Sequence, residues 1–243
     1  MSEQRTDTQR CDAGDIRQCM SIHTRKITDS CRDKDCIEDL RVYLTTSSQA
    51  ILDSAANTRV RCAELITTYI DVEPVAFDRN HYCIDLTFYY RILADAVVGC
   101  NRPTPLQGLA VFSKRAVLCG EDSRAHIYRS NTRLGRFDGP STLFANLPTA
   151  MVEVLDPMVL SSRVKETDPC SCETVSVQIP DCIRELFEDP LVLSGGQRQL
   201  FVTLGQFSIV RLERDAQLVV PVLDYAIPCK ECCDSPGGSG EDP

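Results

Sequence analysis

Tryptophan is absent from this chain, and histidine occurs only as His23, His81 and His126. So little imidazole leaves few candidates for general-base or metal-ligand chemistry. No GxGxxG, P-loop, HExxH or GxSxG string occurs, so dinucleotide, phosphate-cradle, zinc-protease and serine-hydrolase readings lack a motif. The Gly pair of "GGQRQ" (195–199) opens a strand rather than a helix and supports no phosphate cradle. No apolar run approaches the ~18 residues that a spanning helix needs. The opening "MSEQRTDTQRCDAGD" is polar and lacks the apolar stretch of a secretory signal. The expectation is synthesis in a cytoplasm without membrane insertion. Lysine is scarce too, 5 residues against 21 arginines, a bias that suits interfaces because a planar guanidinium is easier to pair and desolvate. A net charge of −9 argues against nucleic acid or an anionic membrane as partner.

Cysteine, by contrast, is abundant. Fourteen are spread over 243 residues, far more than a reduced cytosolic protein usually carries. A hydrophobic fraction of 43% and a charged fraction of 25% are ordinary for a globular protein with a sizeable core. The thiols are therefore not the staples of a coreless mini-protein. Buried inert thiols, metal ligation and oxidation after synthesis remain as explanations.

Along the chain the pattern is mainly β. From Tyr82 to Val98 every second residue is apolar, a period of two held for 17 residues, or roughly 55 Å at ~3.3 Å per residue. Strands so much longer than ~5–6 residues suit sheets that span an assembly. "RVRCAELITTYIDVEPV" (59–75) reads as its hairpin partner, with "AFDRNH" as the turn. Segments 106–120 and 125–130 continue the meander, followed by 149–166 and 173–180. A short helix is expected at 181–189 and a second long hairpin at 198–227, turning at "ERDA". Laying 39–90 over 174–225 aligns Val42 with Val177, Leu65 with Leu200 and Thr68 with Thr203, without gaps. The expected architecture is two related β-rich domains built on long antiparallel hairpins, with one or two short helices. Its divisions are a polar Cys-containing arm (1–35), a first β-rich domain (36–130), a linker (131–148), a second β-rich domain (149–228) and a Cys-rich flexible tail (229–243).

Two chemistries remain to be weighed. His81 and Cys83 are i, i+2 neighbours that share a strand face, so a Cys–His pair is possible; without an orienting carboxylate or oxyanion motif they read as turn and strand residues. No catalytic centre and no cofactor are expected. "CSC" (170–172) and "CKECC" (229–233) could together offer a four-cysteine zinc site from Cys170, Cys172, Cys229 and Cys232, the core of a cytoplasmic adaptor or regulatory module. Zinc explains four cysteines and leaves ten. Cross-linking accounts for more of the distribution, because Cys11, Cys19, Cys31, Cys36, Cys170, Cys172, Cys229, Cys232 and Cys233 fall in the arm, in loop-like segments or in the tail.

The strings "SCRDKDCIEDLRVYL", "TYIDVEPVAFDRNHYCIDLTFYYRI", "RPTPLQGLAVFSKRAVLCG" and "VTLGQFSIVRLERDAQLVVPVLDYAIPCKEC" resemble the cysteine-rich proteins of clostridial spore formers. Within that group they are similar to those that build the exosporium or outer spore-coat layer. The resemblance spans about residues 30–233 and brings no catalytic residue with it. It implies synthesis in the mother-cell cytoplasm, self-assembly into a cyclic oligomer or two-dimensional lattice, and disulfide formation once the cell lyses. The final location would be the spore surface, with other spore-layer proteins as further partners. It reconciles a cytoplasmic origin with so many thiols.

Overall fold

The computed structural model describes residues 18–78, 80–99, 102–121, 147–167 and 177–222. It is mainly β, with seven strands and two short helices among the described residues. β1 spans Gln18–Leu44, α1 Thr46–Ser54, β2 Asn57–Pro74, β3 His81–Val97 and β4 Thr104–Cys119. β5 (Thr149–Val154), β6 (Met158–Glu166), α2 (Asp181–Arg184) and β7 (Arg198–Val222) follow. The chain divides into two units, Lys26–Arg214 and the pair of end segments Met1–Arg25 with Asp215–Pro243. The larger holds a single antiparallel sheet in the order β2-β3-β4-β1-β7-β5, with β6 also on β7.

β5 and β6 lie end to end along the same edge of β7, Thr149–Val154 opposite Ser208–Glu213 and Met158–Glu166 opposite Arg198–Gly205. The break at Leu155–Pro157 shifts the register, as expected where proline removes a ladder donor. β6 in turn lies beside β2, so the sheet curls into a nearly closed barrel. No ladder joins those two edges among the described residues.

β3 shows why the sequence folds this way. Its even positions from Tyr82 to Ala96 are all buried, whereas its odd positions, apart from Tyr89, are only partly covered. Period two places one set inside the barrel, and the apolar character of that set supplies the driving force. Gly108 of β4 lies where a Cβ would come within 2.7 Å of the Tyr43 carbonyl oxygen, so glycine permits the close approach of β1 to β4. α1 starts at the Thr45 cap, whose side chain accepts from Ser48 N–H. At its other end, Arg198 Nη1 donates to the carbonyls of Leu52 and Ala55, placing a cation on the C-terminal end of the helix dipole. A smaller apolar cluster forms outside the barrel, where Tyr89 and Leu109 point outward and Ile183 and Phe187 cover them.

Several expectations change. The segment read as an irregular arm is strand from Gln18 onward, because β1 is held by a neighbour on each side, β4 and β7, despite its polar composition. Strands from both of the expected β-rich domains, on either side of the expected linker at 131–148, belong to one sheet. The expected second hairpin is one unbroken strand, β7, with "ERDA" inside it. At the duplication offset, the turn at 75–80 falls on 210–215 of that strand, so the hairpins do not overlay and the duplication is set aside. The helix at 181–189 is helical only over Asp181–Arg184. The segments 125–130 and 229–243 lie outside the described residues, as do most of the linker and the first four residues of the strand proposed at 173–180.

Candidate functional site

Of the predicted cross-linking cysteines, Cys19, Cys31 and Cys36 are described, and all three stand on β1, Cys19 and Cys31 in the part expected to be an irregular arm. Cys19 and Cys36 are exposed and Cys31 is half-buried. Cys11, Cys170, Cys172, Cys229, Cys232 and Cys233 lie outside the described residues, and with them the whole zinc alternative. Among the described residues no group of three His, Cys, Asp or Glu is placed to hold a metal ion.

The other described thiols are Cys62 on β2, Cys83 on β3, Cys119 closing β4 and exposed Cys182 in α2. Strand parity sorts them. Cys83 is an odd residue of β3 and faces outward, as does Cys119, which is paired with His81 in the β3–β4 register. Cys83 is opposite Val117, so Cys83 and Cys119 are diagonal neighbours. Diagonal Cα atoms stand ~7–8 Å apart, beyond the reach of a disulfide in an undistorted sheet. Burial pushes the Cys31 thiol up, and the Asp33 carboxylate beside it adds to the shift.

Around His81 the structure adds what the sequence did not reveal. Asp78 Oδ2 lies 2.8 Å from His81 Nδ1, within ion-pair distance. The imidazole, helped by the Asn80 N–H, holds the exposed Asp78 carboxyl below the usual range. Cys119 stands directly opposite His81 in the ladder. The cross-strand register, which decides that juxtaposition, is invisible in a single segment. Cys83 and Cys119 share the outward face with His81, Cys119 directly across the ladder from it and Cys83 two residues along its strand.

The most unusual chemistry lies inside the barrel. Lys114 occupies an even, inward position of β4, between Phe112 and Ala116. Its Nζ lies 2.5 Å from Asp35 Oδ2 and 3.2 Å from Asp33 Oδ2, both on β1, and 3.0 Å from Ser208 Oγ on β7. The Phe88 ring centroid lies 5.7 Å from the same nitrogen. On the same inner face the Tyr90 hydroxyl donates to Gln206 Oε1, while Gln206 Nε2 is buried without a partner. Burial pushes the Tyr90 phenol well up, and the Asp35 charge nearby adds to it. Four adjacent strands thus supply one polar layer in an otherwise apolar interior. The signal was present in the sequence: Lys114, Gln206 and Ser208 fall in phase with apolar residues of alternating strands.

Fold and side chains together define a mainly β, antiparallel, nearly closed barrel protein with outward-facing thiols and a charged layer in its interior. No protein-family model, curated protein or solved structure matches the chain.

Proposed function

We propose that this is a structural protein that self-assembles through its β-rich body into a cyclic oligomer or two-dimensional lattice, which disulfides then lock. The setting is the one implied by the sequence resemblance, a spore surface layer, exosporium or coat. The observation that carries the reading is the placement of the thiols. Exposed Cys19 and Cys36 stand on β1 and exposed Cys182 in α2, and outward Cys83 and Cys119 are offset in register, which favours links to neighbouring copies over a bond between that last pair. Exposed apolar side chains at Leu218 and Val219 of β7, and at Met158 and Leu160 of β6, add surface that association would cover. Assembly in the reducing cell rests on apolar burial and strand edges, and oxidation then joins neighbours already held at high effective concentration.

Electron microscopy of the recombinant protein, with gels run with and without reductant, tests this. Ordered rings or lattices that survive heat and detergent until reductant is added are the expected result, with Cys19→Ser/Cys36→Ser weakening that resistance. A monomer in both redox states at high concentration ends the proposal. Close to one zinc per chain, lost on mutating Cys170 and Cys172, would support the adaptor alternative instead.

A further inference from the structure

We propose that Lys114 and Asp35 condense to an intramolecular isopeptide bond that ties β1 to β4 inside the barrel. This stands independently of the assembly reading, since it concerns one chain and no thiol.

The site has the parts such a reaction needs. Lys114 Nζ and the Asp35 carboxylate are in contact at 2.5 Å, with side chains only 12% and 16% exposed. They belong to neighbouring strands of one sheet, joined where Val42, Tyr43 and Leu44 pair with Ala110, Leu109 and Gly108, and β4 is in turn fixed by sixteen consecutive register pairs to β3. The reacting atoms are thus held together by the fold rather than by chance encounter, the condition under which effective molarities reach roughly 10⁵ M or more. A second carboxylate, Asp33, lies 3.2 Å from the same nitrogen and is 51% exposed, so it can exchange protons with water while its neighbour cannot do so as freely. The Phe88 ring lies against the site, its centroid 5.7 Å from the same nitrogen.

The step balances without any further reagent. Asp33 accepts a proton from the Lys114 ammonium, and the free amine attacks Cγ of Asp35. The Nζ–Cγ bond forms and one Cγ–Oδ bond breaks. That oxygen departs as water with two of the three ammonium protons, one of them relayed by Asp33; the third stays on the amide nitrogen. Two opposite charges leave a poorly solvated interior, where keeping an ion pair is costly.

The test is the intact mass of the full-length protein, fully reduced so that disulfides do not alter it, and corrected for any loss of Met1. The expected mass is lighter than the sequence mass by one water. Tryptic digestion should then yield a branched peptide that joins the Asp35 segment to an uncleaved Lys114. Asp35→Ala and Lys114→Arg should each restore the full mass. Asp33→Asn keeps both reacting groups and should slow conversion by roughly a hundredfold, the scale of general acid–base assistance. The wild-type mass decides the matter even where a variant fails to fold. An unmodified chain after prolonged incubation at neutral pH overturns the proposal. So does a water loss that maps to Asp33 or Asp35 without Lys114, the mark of a cyclic imide.

Discussion

β3 and β1 are both long strands of the same sheet, yet they are built in opposite ways. β3 alternates apolar and polar residues without interruption, and its inner face is buried from Tyr82 to Ala96. β1 is polar for most of its length, and its inward set changes parity: Asp35 and Ile37 face in, and after Asp39 so do Val42 and Leu44. Asp39 adopts the left-handed conformation (φ 52°), taking up the extra residue as a bulge does. Its carboxylate also pairs with Arg163 of β6. β3 is a strand because of its own pattern. β1 is one because β4 and β7 pair with it and because a bulge keeps its sparse apolar residues in phase.

Truncation inside β3 should have the largest effect. Phe88→Ala removes a fully buried ring that stacks with Tyr90 and Phe112, and should cost about 3–5 kcal/mol in denaturant unfolding. Ile37→Ala tests whether β1 shares the same core; a loss of about 2–4 kcal/mol is expected, and a loss near zero would make β1 peripheral. At the bulge, Asp39→Val places a β-branched residue in the left-handed region and should cost about 1–2 kcal/mol, whereas Asp39→Gly keeps that conformation accessible. Equal effects of the two substitutions would remove the bulge from the argument. Tyr90→Phe leaves the buried Gln206 amide without its remaining side-chain partner and should cost about 1–2 kcal/mol, recovered in part by Gln206→Leu in the same chain.

The smallest expected effect is a pH dependence at Asp33. Burial acts to raise its carboxyl, but the hydrogen bond and charge of Lys114 outweigh this and hold it below the ordinary range. A depressed folded value contributes stability above the unfolded value of about 3.9, and that contribution is lost as the pH falls through the folded one. As long as Lys114 and Asp35 are unlinked, acid unfolding followed by circular dichroism should therefore lose a small component below about pH 4, and Asp33→Asn should remove it. In a chain carrying the Lys114–Asp35 link the ammonium is gone, and this component should be absent.

Much of the β character was legible because alternation is local. The β2–β3 hairpin, its turn and β4 follow from apolar spacing and turn residues within each segment. The second hairpin failed for a related reason. "ERDA" carries the polarity of a turn, but Leu212 and Glu213 are buried and the strand runs straight through it. The candidate sites were legible only as single residues. Cys19, Cys31 and Cys36 could be named as cross-linking thiols, yet their strand setting could not. The pairing of His81 with Cys119 was missed because the register that sets it belongs to two strands at once.

Sequence alone determined which side of β3 is buried, since successive side chains must leave an extended backbone on opposite faces and only one set here is apolar. Tertiary structure alone decided that β1 lies between β4 and β7, and so that Lys114 meets Asp35 across 79 residues of chain. No local preference encodes that order. It is chosen by which closure of the sheet buries the apolar faces of all its strands together, and a charged layer in the interior is carried along with that choice.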